Sequence, residues 1–201
     1  VLQPGSRFAF HELQIPFTVR TPPDHFALFG FEPRFELDDD ALDAAYKRVQ
    51  AQVHPDRFAA ATAAERRVAV QWAARANEAL RTLRSPTRRA AYLCELNGAP
   101  IEAESNTAMP RTFLMQQLEW REALDEARSA ETPAPLAALA RQIDAARHSL
   151  HADLADALDI RRDFARAAAL VRQRMFIDKL HDEIAAAAAV DAWAPAAPRA
   201  A

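Results

Sequence analysis

Val53-His54-Pro55-Asp56-Arg57-Phe58 interrupts a helical pattern. Upstream of it, Leu42, Tyr46, Val49 and Val53 recur at spacings of four, three and four, the apolar stripe of an amphipathic helix. Downstream, a second periodic run centres on Trp72. Pro55 has no backbone donor and disfavours helix in the residue before it, so the first helix is expected to end near His54. His54 and Asp56 are thereby expected at an exposed, rigid corner between two helices, an arrangement that suits docking better than catalysis.

Working outward, Pro22-Pro23-Asp24-His25-Phe26-Ala27-Leu28-Phe29-Gly30 reads as a short helix. Asp24 is its expected cap and Gly30 its left-handed terminator. So short a helix needs a partner, and Phe26 and Phe29 are its burial candidates. The helix before the corner is expected to begin at Asp38 to Asp40, where acids favour a helix N-terminus. Lys47 and Arg48 lie off its apolar stripe and, with Arg57, form a modest basic surface leading to the corner; an ordinary solvated face reads the same way. After the corner a long helix is expected from about Ala64 to Leu83, with Val68, Trp72, Ala76, Ala79, Leu80 and Leu83 inward. Pro86 suits the first turn of another helix reaching about Leu96, with Ala90, Leu93 and Cys94 inward. Asn97-Gly98-Ala99-Pro100 closes this unit.

Three further helices are expected, near Pro110 to Arg128, Pro135 to Ala157 and Ile160 to Val190. Leu136, Leu139, Ile143, Leu150 and Leu154 form the seam of the middle one, and Phe164, Val171, Met175, Leu180 and Ile184 recur through the last. Short connections between amphipathic helices favour an antiparallel bundle. The expected architecture is all-α: a helical hairpin with flanking short helices, then a C-terminal three-helix bundle. The expected divisions are an N-terminal extension without assigned role (1–20), a corner-bearing domain (21–98), a linker (99–109), the C-terminal helical domain (110–193) and a tail (194–201).

Composition agrees. Of 201 residues half are hydrophobic, and glycine occurs only three times, a balance that favours helix. The net charge of −3 lacks the strong basic bias of a nucleic-acid binder. Residues 1–95 carry +1 and residues 96–201 carry −4, weak support for two surfaces of different character. One cysteine, Cys94, excludes an intrachain disulfide framework and a thiolate metal cluster, and reads as a buried small hydrophobe. No run approaches a membrane span and no export signal stands out, so a soluble protein in a reducing compartment is expected.

The residues from Asp24 to Gly98 resemble a J-domain, the module by which Hsp40-type co-chaperones engage Hsp70. The resemblance is carried by His54-Pro55-Asp56 between two long helices, by Arg57-Phe58 after it, and by Asn77-Glu78-Ala79-Leu80-Arg81-Thr82-Leu83. Val53 stands where the family commonly has Tyr, and Arg57 where it commonly has Lys. Phe26-Ala27-Leu28-Phe29-Gly30, Arg89-Ala90-Ala91-Tyr92-Leu93 and Thr112-Phe113-Leu114-Met115-Gln116-Gln117-Leu118-Glu119 narrow the resemblance to the HscB (Hsc20) family of iron–sulfur cluster co-chaperones. The N-terminal zinc-module cysteines of the eukaryotic members are absent, which implies a bacterial, cytoplasmic form. The resemblance implies a non-enzymatic, cofactor-free and metal-free adaptor. It would bind an HscA-type Hsp70 through His54, Pro55, Asp56, Lys47, Arg48 and Arg57, and stimulate that partner's ATPase. It would bind an IscU-type scaffold through Leu114, Met115, Leu118, Glu119, Glu122, Glu126 and Phe176. No nucleic acid or membrane is implied, and a monomer suffices for two separate faces.

Helical spacing makes the scaffold patch geometrically possible, but Leu and Met at such spacing fit a core equally well. A metal role for His148 with His151, or for His181-Asp182-Glu183, lacks a complete ligand set. No phosphate-cradling glycine loop marks an ATPase. The competing readings are a J-domain adaptor for another Hsp70 client, a purely structural bundle, and a small helical hydrolase using His54 and Asp56.

Overall fold

The computed structural model describes residues 23–58, 61–102 and 109–193. The expected N-terminal extension and tail lie outside the described residues, as do positions 103–108 of the expected linker. Every regular element among the described residues is helical, as expected of an all-α protein. The chain divides into two compact units, Val1–Arg89 and Ala90–Ala201.

In the first unit, helix α1 (His25–Phe29) is only five residues long. The Asp24 carboxylate accepts the Ala27 amide at 2.8 Å, and Gly30 closes the helix at φ +78°. Burial of Phe26, Leu28 and Phe29 holds so short an element in place, each fully buried side chain contributing about 1.5–3 kcal/mol. Helix α2 (Asp39–Val53) starts at Asp38, whose carboxylate accepts the amides of Asp40 and Ala41 at 2.9 and 3.0 Å. Its buried positions are Leu42, Ala45, Val49 and Val53.

Helix α3 (Ala63–Arg84) begins with a reciprocal cap: Thr62 Oγ1 accepts the Glu65 amide at 3.3 Å, and Glu65 Oε2 accepts the Thr62 amide at 2.8 Å. The Thr62 hydroxyl also donates to Glu65 Oε2 at 2.8 Å, and the two bonds from Thr62 to that carboxylate, the backbone one being the larger cause, hold the Glu65 carboxyl below its ordinary value. Ala76, Ala79 and Leu83 are buried as expected, whereas Ala69 is the fully buried residue near the start and Val68, Trp72 and Leu80 are half-buried. Tyr46 Oη donates to Asn77 Oδ1 at 2.8 Å, and Asp43 pairs with Arg84, so residues rising along α2 meet residues falling along α3. That is an antiparallel hairpin, brought close by alanines. Helix α4 (Pro86–Leu96) follows. Its Arg89 is buried, donates to the Leu83 carbonyl at 2.5 Å and lies 5.5 Å from the Phe35 ring centre, which supplies partners for a charge withdrawn from water.

The second unit takes in α4 from Ala90 onward together with α5 (Arg111–Ser129), α6 (Ala134–Ala155) and α7 (Phe164–Trp193). All five expected seam residues of α6 are buried. Where one helix was expected from Ile160, a π-turn (Asp156–Ile160) ends α6 and α7 begins at Phe164. The chain turns through Arg162 at φ +54°, and the Asp163 carboxylate caps α7 by accepting the Arg166 amide at 2.9 Å.

Within α7, Val171, Leu180 and Ile184 are buried and Phe164 is half-buried. Met175, expected in that seam, is 44% exposed. Arg174 and Ile177 occupy the inward positions beside it. Arg174 is 5% exposed and is satisfied by Asp178 at 2.9 Å and by the Arg147 carbonyl at 2.9 Å; Arg147 shares the same carboxylate at 3.0 Å. Cys94 is fully buried with its Sγ 3.7 Å from the Phe164 carbonyl, and burial pushes its thiol up to about 11, partly opposed by Arg172.

Candidate functional site: a charged corner and an exposed apolar ridge

Helix α2 ends at Val53, whose side chain is buried and anchors the chain before it turns. His54 is extended (φ −60°, ψ 130°), as a residue before proline is biased to be. Pro55–Phe58 then forms one 3-10 turn, closed by the Arg57 amide on the His54 carbonyl at 3.1 Å. The Arg57 guanidinium reaches back to the Ala51 carbonyl at 3.0 Å. That carbonyl lies in the last turn of α2, where four acceptors lack helical partners and the dipole favours a cation. Arg57 therefore ties the turn to the helix it leaves.

His54 and Asp56 are exposed. His54 Nδ1 lies 3.3 Å from the Asp56 amide and 3.5 Å from the Asp56 carboxylate. Accepting the amide requires an unprotonated Nδ1, whereas pairing with the carboxylate requires a proton there, so the ring makes one contact or the other. In both, the side chain is oriented by its own turn. Lys47 and Arg48 are exposed on α2. This is an exposed, mixed-charge turn tied back to α2 through Arg57.

Helix α5 carries three stripes. Phe113, Trp120, Leu124 and Ala127 face inward; Trp120, Leu124 and Ala127 are buried, and Phe113 packs edge-on against Trp120 at 6.3 Å. Leu114, Leu118, Arg121 and Asp125 follow one another at four, three and four, forming a second stripe. Met115, Glu119, Glu122 and Glu126 follow the same intervals and form a third. Leu114, Met115 and Leu118 are 49%, 57% and 60% exposed, so these apolar residues are not core. Glu119, Glu122 and Glu126 are exposed beside them.

Phe176 on α7 is half-buried, and its ring meets the Phe113 ring edge-on at 6.1 Å. The Arg121 guanidinium lies 5.4 Å from the Phe176 centre and donates to Glu183 Oε2 at 2.5 Å. The structure thus brings Phe176 to α5 through Phe113 and Arg121. Arg121 was not among the sequence candidates, and Glu183 entered only in the His181-Asp182-Glu183 cluster considered for a metal. An acid and a base on separate helices leave no local spacing signal.

His148 Nδ1 lies 2.7 Å from the Asp144 carbonyl, and His181 lies 3.7 Å from Asp144 and 3.4 Å from Asp182. No group of three or more potential metal ligands occurs among the described residues. No described helix is long and apolar enough to cross a membrane.

The family described as the HSCB C-terminal oligomerisation domain matches residues 109–185. The co-chaperone protein HscB homologue of Bordetella avium is 55% identical over 163 residues, covering 81% of this chain and 96% of its own. That of Cupriavidus taiwanensis is 55% identical over 160 residues, covering 79% of this chain and 90% of its own. Among solved structures, chaperone HscB from Vibrio cholerae matches with a TM-score of 0.74 at 34% identity, over 84% of this chain and 99% of that one. Human co-chaperone HscB shares the fold, with a TM-score of 0.80 at 24% identity over 92% of this chain and 93% of that one.

Fold and corner together define a class, the J-domain co-chaperones, here with a C-terminal helical domain. Within that class, the chain belongs to the HscB co-chaperone family.

Proposed function

We propose that this chain binds an IscU-type iron–sulfur cluster scaffold and delivers it to an HscA-type Hsp70, whose ATPase it stimulates. The observation that carries this reading is the exposure of His54 and Asp56 on a turn tethered by Arg57, in a member of the HscB family. His54, Pro55 and Asp56 form the Hsp70-docking tip, with Lys47, Arg48 and Arg57 supplying positive charge that steers encounter with an acidic surface. Binding favours the Hsp70 conformation competent for hydrolysis, so the hydrolytic chemistry stays in the partner. In this reading residues 21–98 form the J-domain, 99–109 the linker and 110–193 the scaffold-binding domain.

Scaffold binding is assigned to Leu114, Met115, Leu118, Glu119, Glu122, Glu126 and Phe176. The exposed apolar ridge supports it, because three large apolar side chains side by side gain most when a partner removes them from water. The acids beside them orient a partner with complementary charge. The chain acts as a monomer in the bacterial cytoplasm, without cofactor or enzymatic activity of its own.

The deciding measurement is the HscA ATPase rate with and without IscU, comparing the intact chain with His54→Gln. The intact chain is expected to raise the rate and the variant to fail. Equal rates would overturn the J-domain mechanism. Stimulation of HscA with no calorimetric binding of IscU would instead identify an adaptor for another client, and substrate turnover by the isolated chain would favour the hydrolase reading.

A further inference from the structure

Phe176 sits between two different contacts. The Phe113 ring meets it edge-on at 6.1 Å, and the Arg121 guanidinium lies 5.4 Å from its centre. Arg121 is in turn held at 2.5 Å by Glu183, seven residues along α7 from Phe176 and so on the same side of that helix. One side chain from α5 therefore contacts two residues of α7. Arg121 is also the only cation between Arg111 and Arg128 in the sequence, on a helix whose outward stripe carries Glu119, Glu122 and Glu126. Unpaired, it would be free to swing toward that stripe. Paired with Glu183, it remains over the aromatic ring. The two side chains are 38% and 27% exposed, so the pair is partly shielded from solvent screening.

We propose that Arg121 and Glu183 are a positioning pair for scaffold docking: Glu183 holds Arg121 over Phe176, which fixes the ring beside the Leu114–Leu118 ridge and keeps the Arg121 charge off the acidic stripe. This rests on the scaffold reading of α5. The partner it implies presents an apolar strip flanked by cationic groups. The guanidinium fork can hold the Glu183 carboxylate while lying over the ring, a two-way contact that the single ammonium of lysine reproduces poorly.

The test uses the full chain and IscU in calorimetry, with Glu183→Gln, Phe176→Ala and the double variant, and urea unfolding to establish that each is folded. Loss of a contact of this kind is expected to weaken Glu183→Gln binding by about two- to fivefold. In the Phe176→Ala background the same change is expected to have almost no effect, because the residue being positioned is gone. Unchanged affinity in Glu183→Gln, or an equal loss with and without Phe176, overturns the proposal. So does tighter binding, which would mean that freed Arg121 contacts the scaffold itself. In parallel, aromatic NMR of the scaffold-free protein is expected to show shifted or broadened Phe176 ring signals in both Glu183→Gln and Arg121→Lys. If the intact chain fails to bind IscU, the scaffold reading falls by itself. The ring signals still decide the pair: unchanged signals refute positioning.

Discussion

Leu118 and Leu124 lie on the same helix, yet shortening each to alanine is expected to have opposite consequences. Leu118 is 60% exposed and Leu124 is 1% exposed. Full burial of a leucine is worth about 1.5–3 kcal/mol, so burying the open part of Leu118 beneath a partner contributes about 1–2 kcal/mol. Leu118→Ala is therefore expected to raise the Kd for IscU by about five- to thirtyfold. Its stability in urea should stay within about 1 kcal/mol of the parent, since little of the side chain leaves a packed environment. Leu124→Ala removes a packed side chain and leaves a cavity, which costs about 2–5 kcal/mol of stability. At low denaturant, where the protein remains folded, its affinity for IscU should be near normal. Calorimetry and urea unfolding on the same two preparations supply both readings. An unchanged Kd for Leu118→Ala, or a stability loss equal to that of Leu124→Ala, would refute the assignment of the ridge to docking.

The remaining predictions concern stability and reactivity. Glu65 has a carboxyl held below its ordinary 4.5 by the Thr62 bonds, so its stabilising contribution is present above that pH and is lost as pH falls through the lower folded value; thermal melts should show Glu65→Gln differing from the parent at neutral pH, with the gap closing in acid. Between its ordinary 9.0 and about 11, Cys94 ionises only in the unfolded chain, so it subtracts stability as pH rises through that window. At neutral pH the buried thiol should resist iodoacetamide and react only once guanidinium unfolds the protein, and rapid alkylation of the native form would contradict its placement. Asp178→Asn removes the carboxylate shared by the buried Arg174 and the half-buried Arg147; Arg147 keeps Asp144 at 3.7 Å and Arg174 keeps the Arg147 carbonyl, so the cost in urea unfolding is expected at about 1–3 kcal/mol.

Much of the fold is legible in the chain because helices are specified locally. Asp24, Gly30 and Asp38 act as the caps their residue types suggest, and the α6 seam is buried as its spacing implies. The Thr62-x-x-Glu65 cap was equally legible as a motif, though an Ala- and Thr-rich connector conceals it. The start of α7 was harder to place. Ile160 continues the apolar period, and only the left-handed backbone at Arg162 and the Asp163 cap reveal the break. Periodicity also misplaced Met175, because Arg174 is charged and is admitted to the interior only by Asp178 and the Arg147 carbonyl. For the site, the His54-Pro55-Asp56 corner follows from one proline. The outward direction of Leu114, Met115 and Leu118 does not follow from spacing, which is the same for a core and for an interface; it depends on which stripe Trp120 and Leu124 claim.

That outward ridge also makes the free protein a colloidal problem. Leu114, Met115 and Leu118 would cohere with the same ridge on another molecule were it not for Glu119, Glu122 and Glu126 beside them. Two such faces brought together would juxtapose like charges, a repulsion expected to disfavour that pairing. It is screened within about 10 Å at 0.1 M salt and within about 3 Å at 1 M. On these grounds Glu119, Glu122 and Glu126 would act as gatekeepers against self-association of the exposed ridge, and dilute, low-salt storage is expected to favour a usable preparation.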